Sequence, residues 1–177
     1  MKILTLILSI LGGLVALVLI IASFLPKTFQ LSAEVVIDKP SNEVRNYAKI
    51  LANQKNYSVR VMTDPNVQLI YEGIDGTVWA KQARDSTMKN VGKGEQEITK
   101  IDEWKSYEVV IRFEKPMKAT NYARTTIESV GENKTKVTNT FRGVNPRPGN
   151  FVSMFFLPQV RKDMQQNMNN LKVQLEK

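Results

Sequence analysis

The feature that most constrains this chain is the uncharged apolar run ILTLILSILGGLVALVLIIASFLP, at residues 3–26. As a helix, a run of this length spans about 36 Å, which is enough to cross a hydrocarbon core of about 30 Å. A cleaved signal peptide has a shorter apolar region and ends at a small-x-small site, which this segment offers only poorly. We therefore predict an uncleaved, single-pass membrane anchor at residues 1–26, followed by one domain at residues 27–177.

The charges and small residues of the anchor bear on its orientation and pairing. Lys2 favours an N-terminus in the cytoplasm, whereas Lys27 and Lys39 oppose that bias. On balance, we expect the domain on the extracytoplasmic side. Small residues recur at positions 9 and 13 and at positions 12 and 16, a spacing that lets two helices pack closely. A weak dimer formed through the anchor is therefore a further expectation.

Composition excludes several kinds of site and partner. The chain has no cysteine and no histidine, which removes disulfides, thiolate chemistry, Ser-His-Asp triads and nearly all zinc sites. Residues 27–177 hold 24 of the 25 lysines and arginines and all 17 acidic residues, a net charge of +7. Because the basic residues are scattered and accompany no nucleic-acid motif, we expect an anionic lipid surface nearby rather than a nucleic acid. Neither a metal nor a cofactor is predicted.

The periodicity of the remaining chain predicts a run of strands between two helices. Residues 39–54 carry a helical stripe that follows a Pro40-Ser41 start signal. Alternating apolar residues predict strands at residues 29–38, 67–71, 77–84, 95–101, 107–113, 121–130 and 135–141. Short polar turns separate most of these segments, so neighbouring strands should be antiparallel. About seven strands, one early helix and one long final helix define an α+β fold.

The final helix carries one narrow apolar stripe, formed by Met164, Met168, Leu171 and Leu175. In this α+β plan the stripe can be buried only against the concave face of the sheet. Two flexible thioethers suit the wall of a cavity between the helix and the sheet. The alternative is that both methionines are ordinary core residues.

A family resemblance rests on the order of these elements and on several segments. The segments are VVIDKPSNEV, DPNVQLIYEG, VGKGEQEITKID, YEVVIRFEKPMKAT, GENKTKVTNTFRG and NLKVQLEK. Together they resemble the START-like (SRPBCC) helix-grip superfamily, in its polyketide cyclase/dehydrase-like branch. The resemblance implies a curved sheet wrapped around the C-terminal helix, with a hydrophobic cavity between them that binds lipids or other apolar molecules. It implies no shared catalytic residues.

The predicted ligand-binding residues come from both walls of that cavity. The apolar ones are Tyr107, Val109, Ile111 and Phe113 on the sheet and Phe155, Met164, Met168 and Leu171 on the helix. Strand parity adds polar residues where the branch usually has apolar ones, namely Gln82, Arg84, Thr125 and Asn139, and the same register adds Gln96. The cavity should therefore be more polar than is usual for the branch.

Arg84 has two interpretations, because a charge facing an apolar cavity requires a partner. It could pair with the carboxylate or phosphate of a ligand. Alternatively, it could lie at the cavity mouth, or form a structural ion pair with Asp85, Glu97 or Glu114.

The function predicted from these residues is a membrane-anchored module that binds a hydrophobic or amphipathic small molecule without chemistry. One alternative is a cyclase- or lyase-type enzyme that acts on a bound apolar substrate. Its candidate groups are Glu95, Glu97, Asp75, Asp102 and Tyr107, although no two form a paired constellation by spacing. The other alternative is a tethered interaction domain with a vestigial cavity, for which an exposed Trp79 or Trp104 would be the sign.

Overall fold

The alternating apolar segments pair into one antiparallel sheet within residues 2–103 and 105–177, the part of the chain that this computed structural model describes. The sheet has seven strands, in the order β1-β7-β6-β5-β4-β3-β2. The strands are β1 (Thr28–Ile37), β2 (Gln68–Glu72), β3 (Lys81–Asp85), β4 (Lys93–Asp102), β5 (Ser106–Lys115), β6 (Ala119–Gly131) and β7 (Lys134–Val144). Trp104 lies outside the described residues.

The helices are placed at the two ends of the chain and in the connection between β1 and β2. They are α1 (Lys2–Phe24), α2 (Ser41–Ala48), α3 (Val59–Thr63) and α4 (Gly149–Leu175), with a 3-10 helix at Leu51–Asn56. The chain thus has the predicted α+β, helix-grip architecture, in which a seven-stranded antiparallel sheet holds a long C-terminal helix.

The core lies between the concave face of the sheet and helices α2 and α4. The residues of α2 and α4 buried there are Val44, Ala48, Met164, Met168, Leu171 and Leu175. The buried residues of the sheet include Ile37, Ile98, Val109, Ile127 and Val137. Burying each large aliphatic side chain stabilises the fold by about 1.5–3 kcal/mol, so this cluster is the main source of its stability.

Helix α4 covers the edge of the sheet as well as its face. Gln165 donates to the Glu34 carbonyl at 3.0 Å, and Lys172 donates to the Val36 carbonyl at 2.7 Å. Both acceptors belong to β1, which is an edge strand. These bonds satisfy carbonyls that would otherwise offer pairing sites to another chain. On its other side, α4 accepts a hydrogen bond from the Val59 amide through Asn167, at 2.7 Å.

Two predicted elements differ from the structure. The helix predicted at residues 39–54 ends at Ala48, and the Asp75 carboxylate then accepts hydrogen bonds from the amides of Leu51 and Ala52 at 2.8 and 2.9 Å. The strand predicted at residues 77–84 begins only at Lys81. Its first residues form a turn because Trp79 has a positive φ of 75°, which a strand does not allow.

Helix α1 is long and apolar enough to cross a membrane, and a signal sequence would pass the same test. Its last turn is fixed to the start of α4, because Asn150 Nδ2 donates to the carbonyls of Ala22 and Leu25 at 2.8 and 3.1 Å. Arg147 donates to the carbonyls of Ala22 and Ser23. The dimer expected from the small residues of α1 stays a prediction.

Candidate functional site

The register of the sheet divides its concave face into rows that run across the strands. One row joins Val109, Ala123 and Phe141 on β5, β6 and β7. The next row joins Gln82, Gln96, Ile111 and Asn121, and the row beyond it joins Arg84, Gly94 and Phe113. The strands have two ends. We call the end beyond Arg84 the α1 end, because β1 begins there directly after α1, and we call the opposite end of the strands the far end.

Tyr107 is the donor at the centre of the buried face. Its hydroxyl donates to the Ala48 carbonyl at 2.9 Å and is also hydrogen-bonded by Thr125 and Tyr57. Asn139 Nδ2 in turn donates to Thr125 Oγ1 at 2.9 Å. Burial raises the pKa of Tyr107, so its phenol is protonated at neutral pH. The group therefore acts as a structural donor that fixes α2 on the sheet.

The two predicted glutamines form an amide network with Gln54, in which Gln82 is buried and the other two are half-buried. Gln82, which is 4 % exposed, donates to the Leu51 carbonyl at 3.3 Å and to the Tyr71 hydroxyl at 3.2 Å. Gln96 Nε2 donates to Gln82 Oε1 and, at 2.6 Å, to Gln54 Oε1. These side chains satisfy one another, and a complete buried network rigidifies the structure around it. The middle of the concave face is therefore filled by polar groups bonded to each other.

Arg84 lies at the end of the network, half-buried and without an anionic partner among the described residues. Its Nε is buried and has no hydrogen-bond partner among the described residues. Its guanidinium carbon lies 5.7 Å from the centroid of the Phe113 ring. Burial, and then the neighbouring charge of Arg60, lower the pKa of Arg84 to about 10. The group stays charged at neutral pH, so a cation with an unused donor lies on an apolar wall.

The acids that were expected to neutralise Arg84 are bound elsewhere. Asp85 and Glu114 lie 3.1 and 3.7 Å from Lys93 Nζ. Glu97 lies 2.7 Å from an amino group of Arg112. The structural ion pair considered for Arg84 is therefore wrong. Arg60, the other cation in its surroundings, is itself held by Asp163 of α4 at 3.1 Å.

Asn121 is a second buried group with an unused atom on the same face. Its Oδ1 has no hydrogen-bond partner among the described residues. The side chain occupies the space left by Gly143 on β7, where a Cβ would overlap Asn121 Oδ1 and would lie 2.8 Å from the Phe29 ring. An acceptor without a donor costs free energy in the folded protein, about 1–3 kcal/mol. A ligand donor could use this oxygen.

Two pockets of the structure lie toward the α1 end. One of about 100 Å³ lies where α1 meets α4, and its lining includes Leu25, Phe29 and Leu157. Another of about 160 Å³ lies on the outer side of β2, β3 and β4 and reaches Arg84. Both are smaller than the roughly 300–1,000 Å³ of typical ligand sites. A ligand of lipid size therefore requires this end of the domain to widen.

The structure brings most of the predicted site residues to one face. Tyr107, Val109, Met164, Met168, Leu171 and Gln82 are buried there, and Ile111, Phe113, Gln96, Asn139 and Arg84 are half-buried. Phe155 is not brought to this face. It is 67 % exposed and packs edge-on against Phe151 at a centroid distance of 5.6 Å. The first turns of α4, which carry Phe155, extend beyond the sheet to meet α1. Phe155 therefore does not contact the interior between the sheet and α4.

The acidic candidates for catalysis have structural partners. Glu95 and Glu97 both contact Arg112, at 2.8 and 2.7 Å, and Asp75 caps the 3-10 helix. Asp102 lies at the end of β4, away from Arg84. Among residues 2–103 and 105–177, no group of three or more acids could hold a metal ion.

Sequence reasoning missed the residues that complete the network and flank Arg84. Tyr57, Gln54 and Arg60 belong to the connection after α2, where the helical stripe of the sequence gives no indication of the 3-10 helix. Tyr71 lies in the predicted strand 67–71, and it stands opposite Gln82 in the register of β2 and β3. Strand parity indicates that the two side chains share a face. Asn121 could have been found in the same way, opposite Ile111.

Comparison with known proteins agrees with this architecture. The chain is similar to a conserved protein from Geobacillus kaustophilus, with a TM-score of 0.63, 12% identity, and 84% and 95% of the two chains covered. Norcoclaurine synthase from Thalictrum flavum, in complex with dopamine and hydroxybenzaldehyde, gives a TM-score of 0.60 at 11% identity, with 84% and 87% covered. Ara h 8.0201 gives a TM-score of 0.54 at 12% identity, with 81% and 97% covered. At these identities the likeness shows the helix-grip fold alone.

The family model described as polyketide cyclase / dehydrase and lipid transport matches residues 28–176. The chain therefore belongs to this family, and the resemblance drawn from its sequence is confirmed. A search of curated proteins gives no match. Membership supports a ligand-binding module with the helix-grip fold.

Proposed function

We propose that this protein is a membrane-anchored module that binds an amphipathic small molecule carrying a carboxylate or phosphate. The acid group of the ligand would pair with Arg84, and its apolar part would lie along Phe113 and Ile111 toward α4. The observation that carries the proposal is the half-buried guanidinium of Arg84, which has no anionic partner among the described residues. Helix α1 would hold the module in the membrane.

Electrostatics explains why such a cation calls for a ligand. Desolvating an unpaired charge is costly, and the apolar ring of Phe113 offsets only part of that cost. A carboxylate or phosphate placed against the guanidinium would form charge-assisted hydrogen bonds, including one to the unused Nε. Binding would then be favoured further, because the ligand would offset the desolvation cost that the unpaired guanidinium of Arg84 imposes on the free protein.

Binding also requires space that the free protein does not hold. The middle of the concave face is filled by Gln82, Gln96 and Gln54, so the ligand would enter beyond this network, at the α1 end. The element there that can move is α3, whose Arg60 lies near Arg84 and is held by Asp163 and the Asn90 carbonyl. We expect a ligand to separate α3 from the sheet near Arg84.

The proposal is tested by thermal unfolding of the full chain in detergent with three added amphiphiles of equal chain length. These are a fatty acid, a lysophosphatidic acid and an uncharged monoacylglycerol. We expect the two acids to raise the melting temperature more than the monoacylglycerol does. Arg84→Met should lose that preference, with a roughly tenfold to 100-fold loss of affinity for the acids.

The matched control is Arg142→Met. Arg142 is exposed and lies 5.9 Å over the Tyr122 ring on the opposite side of the sheet. This variant should bind the acids as the wild type does. Equal binding by Arg84→Met would remove Arg84 from the site, and no response to any of the three amphiphiles would contradict the binding function itself.

A second candidate function, protein interaction, is favoured by Trp79. This side chain is 70 % exposed, and the Trp79 amide donates to the Ile98 carbonyl at 2.8 Å, which fixes the turn that presents it. Ile74 in the same connection is also exposed. Exposed aromatic and aliphatic groups of this kind are typical of binding surfaces. If this surface is the functional one, Trp79→Ser should abolish activity in cells while leaving amphiphile binding unchanged.

A further inference from the structure

The sheet register gathers several loops at the α1 end. Thr28 at the start of β1 pairs with Val144, and Phe113 near the end of β5 pairs with Ala119. The connections at residues 86–92, 116–118 and 145–148 therefore share this end with α1. The first two are in contact, because Gly92 lies so close to the Lys115 carbonyl that a Cβ would overlap it.

Exposed apolar side chains are presented by these loops and by the first turns of α4. Phe155 and Phe156 are 67 % and 58 % exposed, and Met117 at the tip of the β5–β6 turn is 64 % exposed. Val152 lies on the same face of α4 as the two phenylalanines, by its i, i+3, i+4 spacing, and is exposed as well. Helix α4 turns polar after Pro158, where Gln159, Arg161 and Lys162 follow.

Exposed lysines and arginines lie beside the same loops and on α4, and the described residues supply no acid to pair with them. They include Lys27, Lys89, Lys115, Lys118, Arg161 and Lys162. None of them forms an ion pair with an acid of the described residues, whereas the nearby Asp85 and Glu114 are both held by Lys93. Apolar and aromatic side chains flanked by free lysines and arginines are the composition of surfaces that lie in a membrane interface.

Chain continuity decides which partner this surface meets. Helix α1 leaves the domain at this end, and Asn150 and Arg147 at the start of α4 hold its last carbonyls. If α1 crosses a bilayer, the surface of that bilayer lies against Phe155 and Phe156, only about two turns further along α4.

We propose that the α1 end of the sheet docks on an anionic bilayer surface, with Met117, Phe155 and Phe156 in the interfacial region and the six cations on the head groups. The inference rests on the proposed function in one respect, the membrane span of α1. It deepens that function, because Arg84 and Phe113 lie at the docked end. The ligand would then be an amphiphile of the membrane itself, which enters without crossing water.

The absence of cysteine makes a direct test possible with the full chain. Single spin labels are attached to Met117→Cys, Phe155→Cys, Asn133→Cys and Leu14→Cys in nanodiscs of phosphatidylcholine with phosphatidylglycerol. Asn133 lies in the turn at the far end of the sheet, and Leu14 lies within α1. Accessibility of each label to oxygen, which partitions into lipid, is compared with accessibility to a water-soluble nickel chelate.

We expect the labels at 14, 117 and 155 to favour oxygen and the label at 133 to favour nickel. Labels at 117 and 155 that are as nickel-accessible as the label at 133, with the label at 14 in lipid, would overturn docking while leaving the anchor intact. A nickel-accessible label at 14 would overturn the anchor, and docking with it. Amphiphile binding in detergent is measured separately, so its failure is distinguishable from both.

The charge component is tested by Lys115→Glu combined with Lys118→Glu, with Lys134→Glu at the far end as the matched control. The double variant should shift the label at 155 toward nickel accessibility. In nanodiscs of phosphatidylcholine alone, the protein with all its cations unaltered should show the same shift of that label. The control variant should change nothing. Identical accessibility in all of these samples would contradict recognition of an anionic surface.

Discussion

Helix α4 is one continuous helix, yet its two halves lie in different environments. The second half buries Met164, Met168, Leu171 and Leu175 against the sheet and α2. The first half, up to Pro158, exposes Phe155 and Phe156 to solvent and is held to the last turn of α1 by Asn150. Apolar residues are therefore buried in one half and exposed in the other, because only the second half of α4 packs against the face of the sheet.

The difference shows how far a hydrophobic pattern can predict burial. A stripe at helical spacing says which residues share a face, and it does not say what covers them. The methionine and leucine stripe is covered by the protein. The aromatic face of the first half is left exposed by residues 2–103 and 105–177, which is why we infer a membrane surface for it.

The comparison is tested most strongly by truncating one apolar residue in each half. Leu171→Ala removes a side chain that is fully buried, and it should cost about 2–5 kcal/mol of unfolding free energy. Phe155→Ala should change it by less than about 0.5 kcal/mol in detergent, because exposed positions rarely contribute more. Denaturant titration of the full chain measures both. A large loss for Phe155→Ala would mean that the first half is covered after all.

Arg84→Met should act in the opposite direction. The folded-state pKa of Arg84, about 10, lies below its ordinary value, so folding opposes its protonation. That unfavourable contribution is fully present below about pH 10 and is relieved as the pH rises further toward the ordinary value. Without ligand, the variant should therefore be about 1–3 kcal/mol more stable at neutral pH. The control is Arg142→Met, and a destabilised Arg84→Met would indicate an internal partner.

Much of the fold can be predicted from the sequence, because the alternation of apolar residues in the strands and their helical periodicity in α4 match the faces that the structure buries. Strand parity places Tyr107 and Val109 on the interior correctly, and helical spacing does the same for Met164. The turn at Trp79 and the 3-10 helix depend on contacts with Ile98 and Asp75, which are distant in sequence. No local pattern encodes such contacts.

The candidate site was less predictable than the fold for the same reason. Parity identified Gln82, Gln96 and Arg84 as interior residues, whereas the fate of each depends on partners supplied by other elements. Gln54 completes the amide network from the 3-10 helix. The acids predicted as possible partners of Arg84 bind Lys93 and Arg112 instead. Whether a buried polar group is satisfied is a property of three-dimensional packing.

A smaller effect should come from Asn150, the buried polar residue of the first half of α4. Asn150→Ala leaves the Leu25 carbonyl without its donor, and it should cost about 1–2 kcal/mol. The loss should be local, so hydrogen exchange should accelerate at residues 22–27 and stay unchanged in the sheet. Asn170→Ala is the matched control in the second half, where the Tyr57 carbonyl loses its donor. If hydrogen exchange at residues 22–27 accelerated equally in both variants, the α1–α4 contact would not open independently of the rest of the domain.

The smallest effect concerns the other end of α4, where Glu176 joins the helix to the chain after β1. Its carboxylate accepts the Asp38 amide at 2.6 Å and lies 3.0 Å from Lys172. The Asp38 amide first, and then Lys172, lower the pKa of Glu176. The stability from this contact is therefore present above the ordinary pKa of a glutamate and is lost as the pH falls through the lowered value.

Because Glu176 is exposed, solvent screening keeps the contribution small. Glu176→Gln should lower the melting temperature by about 1–2 °C at neutral pH, and the difference from wild type should vanish below the lowered pKa. Thermal unfolding across the acidic range measures this convergence. A difference that persists in acid would show that the side chain acts through packing, in which case the second half of α4 would be held to β1 without help from charge.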